Sequence, residues 1–118
     1  MKQEESRLQQ QCVMWFRYQY PQYALLLYAV PNGGFRNKAT AQRMHSEGVV
    51  AGVADLILFL PTQDSHALCI EMKTPQGRQS DKQKAWQKAV EAVGYKYIIC
   101  RSFQNFIFEV AKYLKNTL

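Results

Sequence analysis

A helix-start signal set between two apolar runs does most to constrain the fold. Ser80 is followed three residues later by Gln83, the spacing of a capping box, in which two side chains satisfy backbone N–H groups that a helix leaves free. Behind it Trp86, Ala89, Val90 and Val93 recur on one helical face, and Gly94 stops the repeat. Upstream, Ala67 to Lys73 is an apolar run of strand length closed by Thr74-Pro75-Gln76-Gly77. Downstream, Tyr95 to Cys100 is another. A chain that alternates strands with amphipathic helices buries the helices against a sheet.

The rest of the chain extends this pattern. Glu4 to Tyr18 reads as a helix with Leu8, Cys12, Trp15 and Phe16 on its apolar face, ended by Pro21. Leu25 to Val30 reads as a strand that runs into the loop Pro31-Asn32-Gly33-Gly34. Lys38 to Glu47 reads as a polar helix stopped at Gly48, and Asp55 to Leu60 as a strand closed by Pro61. Ser102 is placed to cap a last helix with Phe103, Phe106, Ile107, Val110 and Leu114 as its buried stripe. The expected product is a single α/β domain over residues 1–118, with a mixed central sheet flanked by helices.

Composition excludes several classes. With 47% hydrophobic residues the chain can build a core without metals or disulfides. It has no apolar stretch of about 18 residues, so no membrane span is expected, and residues 1–12 do not read as a signal peptide. Cys12, Cys69 and Cys100 are too widely spaced for a zinc pattern, and buried free thiols in a reducing cytosol are expected. The net charge of +6 suits a polyanionic partner such as nucleic acid.

The chemistry centres on Glu71-Met72-Lys73. Residues two apart on a strand share a face, so Glu71 and Lys73 project together while Ile70 and Met72 point into apolar packing. Charges in a mostly apolar strand are costly unless paired or bound to metal. Asp55 opens the preceding strand, after Gly52-Val53-Ala54. If these strands are neighbours, Asp55 and Glu71 converge at one end of the sheet. Two carboxylates then make a hard-oxygen site suited to Mg²⁺ or Mn²⁺, and Lys73 can orient a water or offset phosphate charge.

The set Gly52-Val53-Ala54-Asp55, Glu71-Met72-Lys73 and Gln83, with a glutamate on the first helix and Asn32-Gly33 in the loop, resembles the PD-(D/E)XK nuclease superfamily. Within it the chain is similar to the VRR-NUC family over nearly its whole length. One departure is Ala54, where the family often has proline; that proline supplies no ligand. The resemblance implies a restriction-endonuclease-like αβββαβ core. It implies Asp55 and Glu71 as metal ligands, the Met72 carbonyl as a further one, and Lys73 as the catalytic lysine. It also implies an active-site role for Gln83, which competes with the capping role; we take the active site. Glu4 and Glu5 compete for the glutamate of the first helix. We take Glu5, three and seven residues ahead of Leu8 and Cys12 and so on the buried face. Asn32, Arg36, Lys38, Arg78 and Lys82, with Lys84, are candidate DNA contacts, which position a phosphate backbone without reading sequence.

The function expected on this resemblance is a Mg²⁺- or Mn²⁺-dependent DNA endonuclease leaving 5′-phosphate and 3′-hydroxyl ends. Stand-alone members resemble cytoplasmic phage or prophage proteins that act as homodimers on branched DNA such as Holliday junctions. A two-fold dimer suits two cuts of opposite polarity. The alternatives are a non-catalytic nucleic-acid-binding module on the same fold and a sequence-specific restriction-type nuclease.

Overall fold

A computed structural model of the protein describes residues 2–31 and 37–118. The elements run α1 (Lys2–Gln19), a 3₁₀ turn (Pro21–Leu26), β1 (Leu27–Ala29), α2 (Lys38–Ser46), β2 (Leu56–Leu58), β3 (Leu68–Met72), α3 (Asp81–Ala92), β4 (Lys96–Cys100) and α4 (Phe103–Leu114). Their order and type follow the expectation from sequence. The first strand is shorter than expected, because Pro21 starts a 3₁₀ turn that consumes Leu25 and Leu26. Proline suits a first helical turn, where its missing donor would be unused. The second strand also contracts, and Asp55 stands just ahead of it.

The strands form one sheet in the order β1-β2-β3-β4. β1 with β2 and β2 with β3 are antiparallel; β3 and β4 are parallel. Parallel neighbours need a crossover connection, and α3 supplies it. β3 is interior, and all its residues are buried. Leu56 pairs with Ile70, and Ile70 with Ile98. Ile57 pairs with Cys69, Cys69 with Tyr97, and Glu71 with Ile99. Even-numbered residues of these three strands therefore face one side and odd-numbered residues the other.

The even-numbered face carries the main core. Leu56, Leu58, Leu68, Ile70, Met72 and Cys100 pack there against Cys12 and Phe16 of α1 and Phe106 and Val110 of α4. Trp15 meets Phe103 and Phe106 edge-on, with ring centroids 6.2 and 6.1 Å apart. The stripe of α4 extends to Tyr113, which is buried and donates its hydroxyl to the Leu60 carbonyl at 2.7 Å.

The odd-numbered face carries a smaller cluster. Ala54, Cys69 and Tyr97 pack there with Ile57, Trp86, Val90, Tyr95 and Ile99. Trp86 and Val90 bring α3 onto this face, whereas Ala89 and Val93, expected beside them, are exposed. All three cysteines are free and buried, as their apolar surroundings suggest. Burial pushes the Cys69 thiol up to about 11 and those of Cys12 and Cys100 up to about 12. Among the described residues, no helix is long and apolar enough to cross a membrane.

Candidate active site

Asp55 reaches the sheet through a close approach of backbone to helix. Gly52 has φ +90°, and a Cβ there would lie 2.5 Å from the carbonyl oxygen of Lys82 in the first turn of α3. Only glycine accommodates both the dihedral and the contact. Three residues on, Asp55 stands beside Glu71 and Met72, since Leu56 is opposite Ile70. Its Oδ2 accepts a hydrogen bond from the Met72 backbone N–H at 2.7 Å.

Glu71 lies on the odd-numbered face of β3 and is 1% exposed. A carboxylate so buried is costly unless paired or hydrogen-bonded. Its two oxygens are served differently. Oε1 accepts from the Gln79 side-chain amide at 3.2 Å and from the Tyr97 hydroxyl. Oε2 is buried and has no hydrogen-bond donor among the described residues. Lys73 Nζ is 3.6 Å from it, on a side chain only 12% exposed. Weak solvent screening strengthens that attraction.

The electrostatics follow from this crowding. Burial raises the Asp55 carboxyl above the ordinary carboxylate range; the Met72 N–H opposes the rise, the Glu71 and Glu5 carboxylates add to it, and Lys73 opposes it. Burial, then the hydrogen bond to Glu71 and the charge of that carboxylate, push the Tyr97 hydroxyl far above its usual range. It therefore stays a proton donor at physiological pH. Glu5 is half-buried on α1, and Glu4 is exposed.

The donor set suits a hard divalent cation. Glu71 has a buried oxygen without a donor among the described residues, and Asp55 sits beside carboxylates whose charge a cation would relieve. Among the described residues, no three His, Cys, Asp or Glu side chains are grouped to hold a metal. Mg²⁺ is commonly held by one or two carboxylates, with waters and substrate phosphates completing the shell. Asp55, Glu71 and the Met72 carbonyl are the groups that would hold it here.

The structure places Gln83 in the capping box that opens α3. Its side-chain oxygen accepts from the Ser80 N–H at 2.8 Å, and the Ser80 hydroxyl accepts from the Gln83 N–H at 3.2 Å. The capping box holds it, and the glutamine that reaches Glu71 is Gln79. Neither Gln79 nor Tyr97 stands out in the sequence. Tyr97 has the strand parity of Glu71, a signal that becomes readable only once β4 is known to lie beside β3. Gln79 lies in a loop, where no periodicity marks it. Arg101 was equally silent. Its guanidinium donates to the carbonyls of Thr74 at 2.8 Å and Gly77 at 2.7 Å, pinning the loop between Lys73 and Gln79.

Lys38 starts α2, and Arg78, Lys82 and Lys84 flank the start of α3; all are exposed. Lys82 borders a groove of about 350 Å³ whose other walls include Met44, His45, Val50 and Gly52. Asn32 and Arg36 lie outside the described residues.

The family model for the VRR-NUC domain matches residues 3–104. A solved structure described as a "VRR_NUC domain protein" is similar to 95% of this chain and 88% of its own, with a TM-score of 0.83 and 22% sequence identity. At that identity the likeness concerns the fold, a PD-(D/E)XK-like four-stranded mixed sheet with flanking helices. No curated protein matches the chain.

Proposed function

The chain belongs to the VRR-NUC family, and from that premise we propose that it is a Mg²⁺- or Mn²⁺-dependent endonuclease acting on DNA. The observation that carries the reading is Glu71. It is a buried carboxylate with one oxygen that lacks a donor among the described residues, next to Lys73 and across the strand pair from the tethered Asp55.

Asp55 and Glu71 would hold a divalent cation, which would supply Lewis acidity for the phosphoryl oxygens and for the attacking water. The water oxygen attacks phosphorus in line and gives up a proton to solvent, and the bond from phosphorus to the 3′ oxygen breaks. The 3′ oxygen takes a proton from solvent, which leaves a 3′-hydroxyl and a 5′-phosphate. Lys73 points its ammonium to the same place as the Glu71 carboxylate, where it holds the water or meets the charge growing on the phosphoryl oxygens. Glu5 adds negative charge near Asp55 and strengthens the pull on a cation. Arg78, Lys82 and Lys38 meet the phosphate backbone, and Asn32 and Arg36, which lie outside the described residues, are further candidate contacts.

The preferred substrate in this reading is branched DNA, cut by a homodimer whose two centres act on opposite strands. The test is a cleavage panel of linear, nicked, flapped and four-way DNA with Mg²⁺, Mn²⁺ or chelator. Metal-dependent incision that disappears in Glu71→Ala supports the assignment. Incision that persists in excess chelator overturns it, and DNA binding without incision on any substrate points to a non-catalytic module.

A further inference from the structure

We propose that Tyr97, acting with Gln79, is a positioning residue that clamps one oxygen of Glu71 so that the other faces a divalent cation. The inference rests on the nuclease reading above, in which Glu71 is a metal ligand, and extends it to groups that do not touch the metal.

A glutamate side chain can turn either oxygen, or both, toward a cation. Here both donors converge on Oε1, and Oε2 is left toward Lys73. The donors come from different elements and also meet each other, the Gln79 amide donating to the Tyr97 hydroxyl at 3.5 Å. Tyr97 belongs to β4, whose parallel register sets it opposite Cys69 and diagonal to Glu71 on the same face of the sheet. Its ring is 6% exposed and packs on Trp86 of α3 at 6.0 Å, which holds the hydroxyl in place. Gln79 belongs to the loop before α3. Its amide nitrogen also donates to Gln87 Oε1 at 2.8 Å, and the Gln87 amide donates to Glu91 at 3.3 Å. That chain runs along α3 and fixes which end of the Gln79 amide faces the carboxylate.

Hydrogen bonds of this kind orient metal ligands, and removing one typically costs about 10- to 100-fold in metal affinity. Tyr97→Phe deletes the hydroxyl and keeps the ring packing, so it separates orientation from core filling. Mn²⁺ titrated calorimetrically into the protein without DNA reads affinity with no turnover involved.

The expected result is that Tyr97→Phe binds Mn²⁺ about 10- to 100-fold more weakly than wild type, with an unchanged circular dichroism spectrum. Gln79→Ala weakens binding in the same direction. Raising the Mn²⁺ concentration restores cleavage by Tyr97→Phe but not by Lys73→Ala. Wild-type affinity in Tyr97→Phe, with binding abolished in Glu71→Ala, overturns the inference and leaves the nuclease reading standing. A wild-type protein that takes up no Mn²⁺, or binds it no better than Glu71→Ala, overturns both. Should Tyr97→Phe fail to fold, Gln79→Ala carries the same comparison.

Discussion

At Asp55, burial and neighbouring carboxylates act together against the ionised form. The sign of the consequence is opposite to that of a salt-bridged aspartate. A carboxyl whose folded pKa is raised binds its proton more tightly folded than unfolded. Stability is therefore lost as pH rises from the unfolded value, about 4, through the folded one. Asp55→Asn keeps an acceptor for the Met72 N–H and removes the charge. In metal-free protein it should raise Tm at pH 7, and the gain should vanish near pH 3, where both forms are neutral. Added Mg²⁺ should stabilise the wild type and not the variant; a variant less stable than wild type at pH 7 contradicts this account. Lys73 makes a second case. On the proposed function, Lys73→Ala should lower single-turnover cleavage by about 10²–10³-fold while a filter-binding assay finds DNA affinity retained. A loss of affinity with turnover intact reassigns Lys73 to phosphate contact.

The elements that carry these residues depend on two local devices. One is the capping box of α3, in which Ser80 and Gln83 satisfy each other's backbone N–H. Ser80→Ala and Gln83→Ala should each cost about 1 kcal/mol in denaturant unfolding. The double variant should cost less than their sum, because the two bonds are reciprocal. Full additivity would mean that the two act separately. The other device is Gly52. An added Cβ would collide with backbone, at 2.5 Å from the Lys82 carbonyl oxygen. Gly52→Ala should therefore cost about 1–3 kcal/mol and push the approach to Asp55 away from α3. Gly48 also has a positive φ, 103°, but a Cβ there meets nothing within 4 Å. Gly48→Ala bears only the backbone strain and should be the milder change. Equal urea midpoints for the two would show that the contact at Gly52 relaxes freely.

Across the whole molecule, one sheet divides two kinds of work. Its even-numbered face is packed by α1 and α4 into the main core. Its odd-numbered face is only partly covered, by α3, and there the charged groups gather. With a net charge of +6, affinity for DNA should fall steeply as salt rises, because bound counterions are released when phosphates are neutralised. If the homodimer proposal is right, sedimentation should report twice the 13.7 kDa chain mass. Four-way junctions should then receive paired, nearly symmetric incisions while plain duplex is cut weakly. A monomer that cuts duplex and junction alike removes the branched-DNA preference and keeps the nuclease.

Much of this was legible before any fold was known. The capping box, the apolar stripes of α1 and α4 and the shared face of Glu71 and Lys73 follow from periods of 3.6 and 2, which are properties of local backbone. The order of helices and strands along the chain came through for the same reason, with errors at element ends, such as the 3₁₀ turn before β1, and in the stripe of α3, where Ala89 and Val93 are exposed. The tertiary structure decided what depends on neighbours distant in the chain. The adjacency of β2 and β3 brought Asp55 to Met72 across 17 positions. The parallel docking of β4 brought the Tyr97 hydroxyl to Glu71 across 26. Gln79 rather than Gln83 met that carboxylate, because two glutamines four residues apart are chemically identical. Only the path of the loop, pinned by Arg101, and the start of the helix determine which of them is free to reach it.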